Sequence, residues 1–291
     1  MSSLKIKYLV DSTLGFFSSK TCPSCQSPDV SIIDRKYIVT RLFECNQCHL
    51  YFRHPKDNIS FNKEFYQDDY QQEGGFTTDL PDDNSLETFI GNNFDNSDKS
   101  VKPFLNVFES LFSQGIDQLK IVDYGCSWGY MSYQFLKAGM NVESFEISIP
   151  RSNYGNKKLG LNIKTSEDDL ELNNDIFFSS HVIEHLPDIP KMVTYAKKVL
   201  KHDGLFIAEC PNGSKEFKMK HPNKFHRGWG LVHPNYLNAE YYKNLFSDNP
   251  YLITSTPYTK ELFDKWDQQS QLTHQLDGAN LFVIVKLNQS I

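Results

Sequence analysis

Residues 119–146 constrain the fold of this chain more than any other stretch. They contain an apolar run, Leu119 to Val122, that is broken by Asp123 and followed by a glycine turn. A segment with helical spacing, Tyr130 to Ala138, then stops at Gly139, and an alternating run, Val142 to Phe145, ends at Glu146. A glycine commonly follows the last turn of a helix, because it adopts the left-handed conformation without strain. The succession predicts strand, turn, helix and strand in an open α/β sheet, the arrangement of a nucleotide site.

The glycine turn is suited to hold a ligand. Gly125 and Gly129 let the backbone approach a bound group, and the N-terminus of the following helix favours a carboxylate or a phosphate. Glu146, at the tip of the second strand, can accept hydrogen bonds from both hydroxyls of a ribose. A dinucleotide turn has the spacing G-x-G-x-x-G, whereas three residues separate the two glycines here. The spacing therefore argues against a dehydrogenase.

The run from Asp123 to Gly129, DYGCSWG, resembles motif I of class I S-adenosylmethionine-dependent methyltransferases, which is usually D-x-G-C-G-x-G. Ser127 departs from the motif, and we expect the loop to tolerate it. The resemblance implies an α/β, Rossmann-like sheet of seven strands in the order 3-2-1-4-5-7-6, with the last strand antiparallel. It also implies that S-adenosylmethionine is bound by Asp123, Gly125, Cys126, Trp128, Gly129, Glu146, Ser166, Glu167, Ser180 and His181. The alternatives are an ordinary strand-to-helix turn and, for Ser166 and Glu167, a solvated acidic loop.

Residues 175–186 resemble a second run of the same family, D-V-V-x-x-x-x-V-L-E-H-V. In that family the strand end lies beside the sulfonium, which places Ser180 and His181 next to the methionine end of the cofactor. Glu184 and His185 match the run more closely still. Capping and packing at the start of a helix explain this pair as well as catalysis does, and we favour the structural interpretation.

The composition excludes several classes of protein. At 291 residues, 39% hydrophobic and with a net charge of -6, the chain has the profile of a soluble globular protein. Its acidity argues against broad nucleic-acid binding, which needs a basic face. No apolar run reaches the length of a membrane span. The first residues lack the pattern of a secretory signal, and the expected location is cytoplasmic.

Two C-x-x-C pairs predict a structural zinc site. Cys22 and Cys25 form one pair, Cys45 and Cys48 the other, and 19 residues separate them. Four thiolates complete a tetrahedral Zn²⁺ shell with no open position. Residues 31–43 alternate as a hairpin does. A redox pair and four unrelated buried thiols are the alternatives, and His49 and His54 are weaker ligand candidates.

The cysteine module, together with the aromatic run at 65–70, resembles bacterial methyltransferases with an N-terminal zinc ribbon. Several of these act on sugars or cell-surface polysaccharide precursors. We predict a ribbon within residues 1–60, a linker or lid segment at 61–100 and a methyltransferase domain at 101–291. The polar stretch 79–100 is expected to be a loop. The aromatic run, which includes Phe65 and Tyr70, is expected to pack against the domain or to contact cofactor or substrate.

The acceptor is expected to bind near residues 211–238. This segment is predicted to be irregular as far as residue 234, and its cations suggest a phosphate-bearing small-molecule substrate; a solvated basic loop is the equal alternative. The pattern of His233, Tyr236 and Asn238 loosely resembles H-x-x-Y-x-S of zinc-containing sugar C-methyltransferases. Those proteins are longer, with an additional C-terminal domain that we do not expect within these 291 residues, so the resemblance does not carry over their activity. We predict His233 first and His181 second as the base, with Tyr236 as an orienting group.

The predicted function is methyl transfer from S-adenosylmethionine to a sugar, nucleotide sugar or polysaccharide precursor. The sequence leaves two alternative functions open. An RNA methyltransferase would use the ribbon to bind RNA and would need a basic face that joins the ribbon to residues 215–227. A non-catalytic scaffold would bind the cofactor without turnover, although the intact Asp123, Gly125, Gly129 and Glu146 favour an enzyme.

Overall fold

The structure is a computed structural model that describes residue 10 and residues 12–56, 79–230 and 233–288. The aromatic run at 65–70 and the junction at residue 60 between the predicted ribbon and linker lie outside the described residues. The predicted domain boundaries therefore stay a prediction.

The described residues form two sheets. Their strands, in chain order, are β1 (Val30–Lys36), β2 (Thr40–Cys45), β3 (Tyr51–His54), β4 (Lys120–Tyr124), β5 (Asn141–Phe145), β6 (Ile163–Lys164), β7 (Asn174–Ser180), β8 (Leu200–Pro211), β9 (Asn235–Tyr236), β10 (Tyr251–Ser255), β11 (Gln271–Thr273) and β12 (Asn280–Lys286). The helices are α1 (Asp83–Gly91), α2 (Lys102–Leu111), α3 (Tyr130–Lys137), α4 (Ile149–Leu159), α5 (Ile189–Val199), α6 (Lys215–Lys220), α7 (Pro222–Gly228), α8 (Ala239–Leu245) and α9 (Lys260–Asp264). None of these helices combines the length and apolar character that a membrane span requires.

The larger sheet has eight strands in the order β11-β10-β12-β8-β7-β4-β5-β6. Strands β4 to β8 pair in parallel, and β12 runs antiparallel to both β8 and β10. Ile121, Phe177 and Ile207 in the central strands are fully buried. Continuous apolar runs of this kind are typical of parallel strands that are covered on both faces. An α/β fold with a mixed sheet follows.

The prediction of seven strands, and with it the order as predicted, is wrong. Strand β11 pairs in parallel with β10 and adds an eighth strand at the edge of the sheet. Its three residues, Gln271 to Thr273, are too few and too polar to show the alternation by which a strand is recognised in a sequence. Its burial is correspondingly partial, which is typical of an edge strand.

The smaller sheet joins the N-terminal ribbon to the rest of the protein. We use "ribbon" for residues 20–56, which carry the four cysteines and strands β1 to β3. The sheet order is β1-β2-β3-β9, and its fourth strand, β9, comes from residues 211–238. We call these residues the acceptor segment, after the role predicted for them. Tyr51 pairs with Tyr236, and the Arg53 backbone N–H donates to the Pro234 carbonyl oxygen at 2.7 Å. The ribbon is therefore hydrogen-bonded directly to the segment that follows His233.

Helices form in two places where loops were predicted. In the 79–100 stretch, the side chain of Asp82 accepts a hydrogen bond from the Ser85 backbone N–H at 2.7 Å, which caps α1. Leu86 then packs with Phe94 and Trp128. In the acceptor segment, α6 and α7 replace the predicted irregular chain. Their apolar side chains pack with those of the ribbon and of β9, in a cluster of Leu42, Tyr51, Phe217, Phe225, Trp229 and Tyr236.

Candidate active site

A cavity of about 860 Å³ opens at the carboxyl ends of β4, β5 and β7. Ligands bind at this edge in open α/β sheets, where the strand order reverses. Eight of the residues predicted for the site line the cavity, namely Asp123, Gly125, Cys126, Glu146, Glu167, Ser180, His181 and His233. The structure therefore brings together groups that are up to 110 residues apart in the chain, since the set runs from position 123 to position 233.

The glycine turn needs its glycines. Gly125 and Gly129 have φ values of 79° and 81°, in the left-handed region. A Cβ on Gly125 would lie 2.4 Å from a methyl group of Val182, so a side chain has no room there. Ser127 also has a positive φ, 56°. Its hydroxyl oxygen accepts a hydrogen bond from the buried Arg151 guanidinium at 2.7 Å, which holds this residue in its strained conformation.

Glu146 is buried and aimed into the same turn. One carboxylate oxygen accepts from the Ser127 backbone N–H at 2.9 Å, and the other accepts from the Ser148 N–H at 2.8 Å. Burial raises the pKa of Glu146, although these hydrogen bonds and the charge of Arg151 oppose the shift. A carboxylate has about four acceptor positions. Two backbone donors thus fix its orientation and leave acceptor capacity for the hydroxyls of a ribose.

Asp123 lies deeper, at the end of β4. Its carboxylate accepts a hydrogen bond from the Ser132 hydroxyl at 2.6 Å. Burial raises the pKa of Asp123 to about 7, and the neighbouring Glu146 raises it further, while the Ser132 hydroxyl lowers it. This carboxyl group is therefore part protonated at neutral pH and can act as donor or acceptor.

Three residues predicted to bind the cofactor do not line the cavity. The Trp128 side chain is fully buried against Phe94. Gly129 precedes α3 and contributes backbone conformation alone. The Ser166 hydroxyl accepts a hydrogen bond from the Asp168 backbone N–H at 3.3 Å and caps a short 3-10 turn. None of the three lines the cavity, and direct cofactor contact by these residues stays a prediction.

The other end of the cavity is rich in histidine. Beyond β7, a 3-10 turn at Ile183–His185 places Glu184 beneath the cavity, where it is fully buried. One carboxylate oxygen of Glu184, Oε1, lies 3.5 Å from Nδ1 of His181, 3.8 Å from Nε2 of His185 and 3.9 Å from Nε2 of His233. His181 has a φ of 56°, and its backbone N–H donates to the Glu209 carbonyl oxygen. Strained conformations of this kind are concentrated at functional sites.

At this end of the cavity, Glu184 and His181 shift each other's pKa values. Burial raises the pKa of Glu184, but the surrounding histidines lower it to about 2, so Glu184 is ionised at neutral pH. Partial desolvation lowers the pKa of His181, whose side chain is about half exposed, and the nearby carboxylate charge of Glu184 outweighs this effect, so the net shift is upward. The site can therefore hold positive charge beside a buried carboxylate.

Tyr236 lies behind His233 and does not reach the cavity. Its side chain is buried, and its hydroxyl packs so closely on Gly228 that a Cβ on Gly228 would lie 2.5 Å from it. The carbonyl oxygen of Gly228 accepts a hydrogen bond from Nδ1 of His233 at 2.8 Å. The predicted orienting role of Tyr236 remains a proposal, and any such action passes through Gly228.

The four ribbon thiols are placed to hold a metal. Sγ of Cys22 lies 3.5 Å from Sγ of Cys48, and Sγ of Cys25 lies 3.4 Å from Sγ of Cys45. All four sulfurs are within 4.8 Å of one another. Thiolates at about 2.3 Å from Zn²⁺ with tetrahedral angles are about 3.8 Å apart. The cluster therefore fits Zn²⁺ with only small shifts.

The cations of the acceptor segment do not converge on the cavity. Lys220 pairs with Asp277 at 2.6 Å, and Lys218 donates to the Ile33 carbonyl oxygen at 3.2 Å. His226 lies 2.8 Å from Asp34 of the ribbon. The predicted phosphate-bearing substrate has no support from these side chains, because they hold the ribbon and the sheet edge.

Two groups in the site were missed by the sequence prediction. Arg151 supports the glycine turn through Ser127, and its only sequence signal is an arginine in the first turn of the helix that follows Glu146. Asn280 reaches the cavity from β12 and carries no local signal. The amide of Asn280 donates a hydrogen bond to the carboxylate of Glu209, which is buried.

A family model described as a methyltransferase domain matches residues 90–255 of the chain. A search of curated proteins found no match. A TehB-like SAM-dependent methyltransferase from Corynebacterium glutamicum shares 12% identity, over 69% of this chain and 95% of its own, with a TM-score of 0.43.

Two further solved structures are similar at the same level. The plantazolicin methyltransferase BpumL, in complex with SAH, shares 14% identity over 71% of this chain and 92% of its own, with a TM-score of 0.47. A possible histamine N-methyltransferase from Thermotoga maritima shares 14% identity over 69% of this chain and 94% of its own, with a TM-score of 0.44. Sequence identities of 12–14% do not indicate which acceptor this chain methylates.

Proposed function

Since this chain belongs to the methyltransferase domain family and is an S-adenosylmethionine-dependent methyltransferase, we propose that it methylates a hydroxyl group of a small molecule. The proposed class is a sugar, a nucleotide sugar or a polysaccharide precursor. The cofactor would lie along the glycine turn with its ribose on Glu146. The acceptor would lie at the histidine-rich end, beside His181 and His233.

One observation carries this proposal, namely the ionised Glu184 with three histidines at the end of β7. A hydroxyl acceptor must lose a proton during methyl transfer, and imidazole is the side chain best suited to assist this near neutral pH. The cavity of about 860 Å³ is within the range of small-molecule sites, about 300–1,000 Å³. These features favour a small polar acceptor.

His181 and His233 are the proposed promoters of deprotonation. Both line the cavity, and both face the same oxygen of Glu184. The methyl group already has a good leaving group, so the remaining acceleration comes from holding acceptor and sulfonium in line and excluding water. Loss of either imidazole should therefore lower turnover, and loss of the His233 imidazole should leave cofactor binding intact.

The ribbon is proposed to bind structural Zn²⁺ through Cys22, Cys25, Cys45 and Cys48. A closed shell of four thiolates supplies stability and no chemistry. The ribbon would support the acceptor side, because Asn238 donates to the His49 carbonyl oxygen at 2.7 Å and β3 pairs with β9. A reducing cytoplasm, the proposed location, would keep these thiols available for the metal.

The test begins with calorimetric titration of S-adenosylhomocysteine, followed by transfer of a labelled methyl group to free sugars, nucleotide sugars and short RNAs. We expect saturable binding and label in a sugar-containing acceptor. His181→Ala and His233→Ala should each reduce transfer by about 10²–10⁴-fold, the usual contribution of a proton-transfer group. His233→Ala should do so with unchanged S-adenosylhomocysteine affinity, because His233 is not among the residues predicted to bind the cofactor. Label in RNA alone would overturn the acceptor proposal, and full transfer by both variants would remove the histidines from it.

A further inference from the structure

Glu184 lacks the hydrogen bonds that a buried carboxylate needs. It is fully buried, and neither of its oxygens has a hydrogen-bond partner among the described residues. An isolated buried carboxylate is costly, and proteins normally pair it or use it to coordinate a metal ion. The three nearest imidazole nitrogens lie at 3.5, 3.8 and 3.9 Å, beyond the usual range of about 2.7–3.2 Å for a hydrogen bond.

The tautomer of His233 sharpens this observation. A carbonyl oxygen can only accept, so the 2.8 Å contact with Gly228 requires a proton on Nδ1 of His233. In the neutral ring the lone pair is then on Nε2, the atom that faces Oε1 of Glu184. Two electron-rich atoms that face each other repel unless a cation lies between them. Metal-ligating histidines have this arrangement, with the other ring N–H bound to a carbonyl or carboxylate.

We propose that Glu184, His185 and His233 bind a divalent transition-metal ion at the acceptor end of the cavity, separate from the ribbon cysteines. Their ligand atoms all lie within 4.8 Å of one another. Two imidazoles and one carboxylate form the ligand set of several catalytic zinc sites, which keep a further position for water or substrate. The site combines residues from two distant segments of the chain.

The geometry fits such an ion with small adjustments. Ligands about 2.0–2.2 Å from Zn²⁺, at tetrahedral angles, are about 3.3–3.6 Å apart. The separations of 3.8 and 3.9 Å from Glu184 to His185 and His233 need to close by a few tenths of an ångström, which side-chain rotation provides. His185 and His233 both line the cavity, so the ion would be open to an acceptor on that side.

The inference rests on the proposed function for its chemical role. A hydroxyl bound to a divalent ion loses its proton more readily, as zinc-bound water does. The proton passes to water, the new O–C bond forms as the S–C bond of the sulfonium breaks, and S-adenosylhomocysteine leaves. His233 then promotes deprotonation as a ligand of the ion.

Metal content tests the inference independently of turnover. The full-length chain is dialysed to equilibrium against a stated excess of ZnCl₂, and bound zinc per chain is measured against the dialysate. We expect two ions in the parent protein and one in Glu184→Gln and His233→Ala. His202→Ala is the matched control, because His202 is exposed and does not line the cavity; it should retain two.

The outcomes separate the two proposals. One ion in the parent protein, or two in His233→Ala, overturns the metal site. If Glu184→Gln does not fold, His233→Ala alone decides, because the His233 side chain is partly exposed whereas that of Glu184 is fully buried. Transfer should fall at least 10-fold in metal-depleted protein whose ribbon zinc is retained, and recover on adding ZnCl₂. S-adenosylhomocysteine titration tests the proposed function separately, because the cofactor end of the cavity does not involve these ligands.

Discussion

Glu146→Gln is the sharpest test of how the cofactor is held. The carboxylate of Glu146 accepts from two backbone N–H groups, at 2.9 and 2.8 Å, and its remaining acceptor capacity is proposed to bind the ribose. A glutamine has one acceptor oxygen and would direct its NH₂ group at a backbone donor. A hydrogen bond to a charged group contributes about 1.5–3 kcal/mol and a neutral one about 0.5–1.5 kcal/mol.

The difference is about 1–1.5 kcal/mol for each hydrogen bond to the ribose. One or two such bonds predict an affinity loss of about 1–3 kcal/mol, or roughly 5–150-fold in the Kd for S-adenosylhomocysteine. The ligand-free protein should lose little stability. Burial raises the pKa of Glu146, which means that its charge is costly in the folded state, and the neutral amide removes this cost. Calorimetric titration gives the affinity, and chemical denaturation of the ligand-free protein gives the free energy of unfolding.

Glu143→Gln is the matched control on the same strand. Glu143 forms a largely buried ion pair with Lys164 and does not line the cavity. It should show the opposite pattern, with reduced stability and unchanged affinity. Wild-type affinity in Glu146→Gln would refute the ribose assignment, and equal losses of stability in both variants would show that Glu146 acts as a structural residue.

Three further predictions concern the turn, the buried acid and the ribbon. Gly125→Ala should destabilise the protein by about 2–5 kcal/mol from left-handed strain plus the clash with Val182, while Gly91→Ala, which meets no atom within 4 Å, should not; denaturation curves compare them. The raised pKa of Asp123 gives stability that is full below about pH 4 and lost as pH rises towards 7. Asp123→Asn should therefore gain about 1–3 kcal/mol over the parent protein between pH 5 and pH 8, and a pH-independent difference would contradict this. Cys25→Ser should lose the ribbon zinc and lower kcat/KM for the acceptor more than S-adenosylhomocysteine affinity, so equal losses of both would exclude a role confined to the acceptor side.

The cofactor end was predictable because its signals are local. Asp123, the glycines and Glu146 lie within 24 residues, and strand, turn and helix propensities place them at one edge of a sheet before any tertiary contact is known. The boundaries of β4, β5 and α3 agree with the predictions to within two residues at each end. The packing of the Trp128 side chain against Phe94 was not predictable, because a motif gives the backbone path without the direction of each side chain.

The acceptor end was less predictable because it depends on tertiary contacts. Glu184 and His233 are 49 residues apart in the chain, and β9 brings them together through its pairing with β3. The pattern of apolar residues in the sequence does not indicate that β9 pairs with β3. The lysines of α6 suggested an anionic ligand because a sequence does not show that Asp277 lies within reach of Lys220.

The shared strand β9 has a consequence for how this enzyme can be divided. The family-matching segment, residues 90–255, excludes the ribbon and β12, although β12 lies between β8 and β10 in the main sheet. Without the ribbon, β9 would lose its partner strand, and the cluster around Tyr236 would lose Leu42 and Tyr51. We therefore expect that the segment matched by the family model does not fold on its own. Insertions or fusions should be tolerated better away from the pairing of β3 with β9.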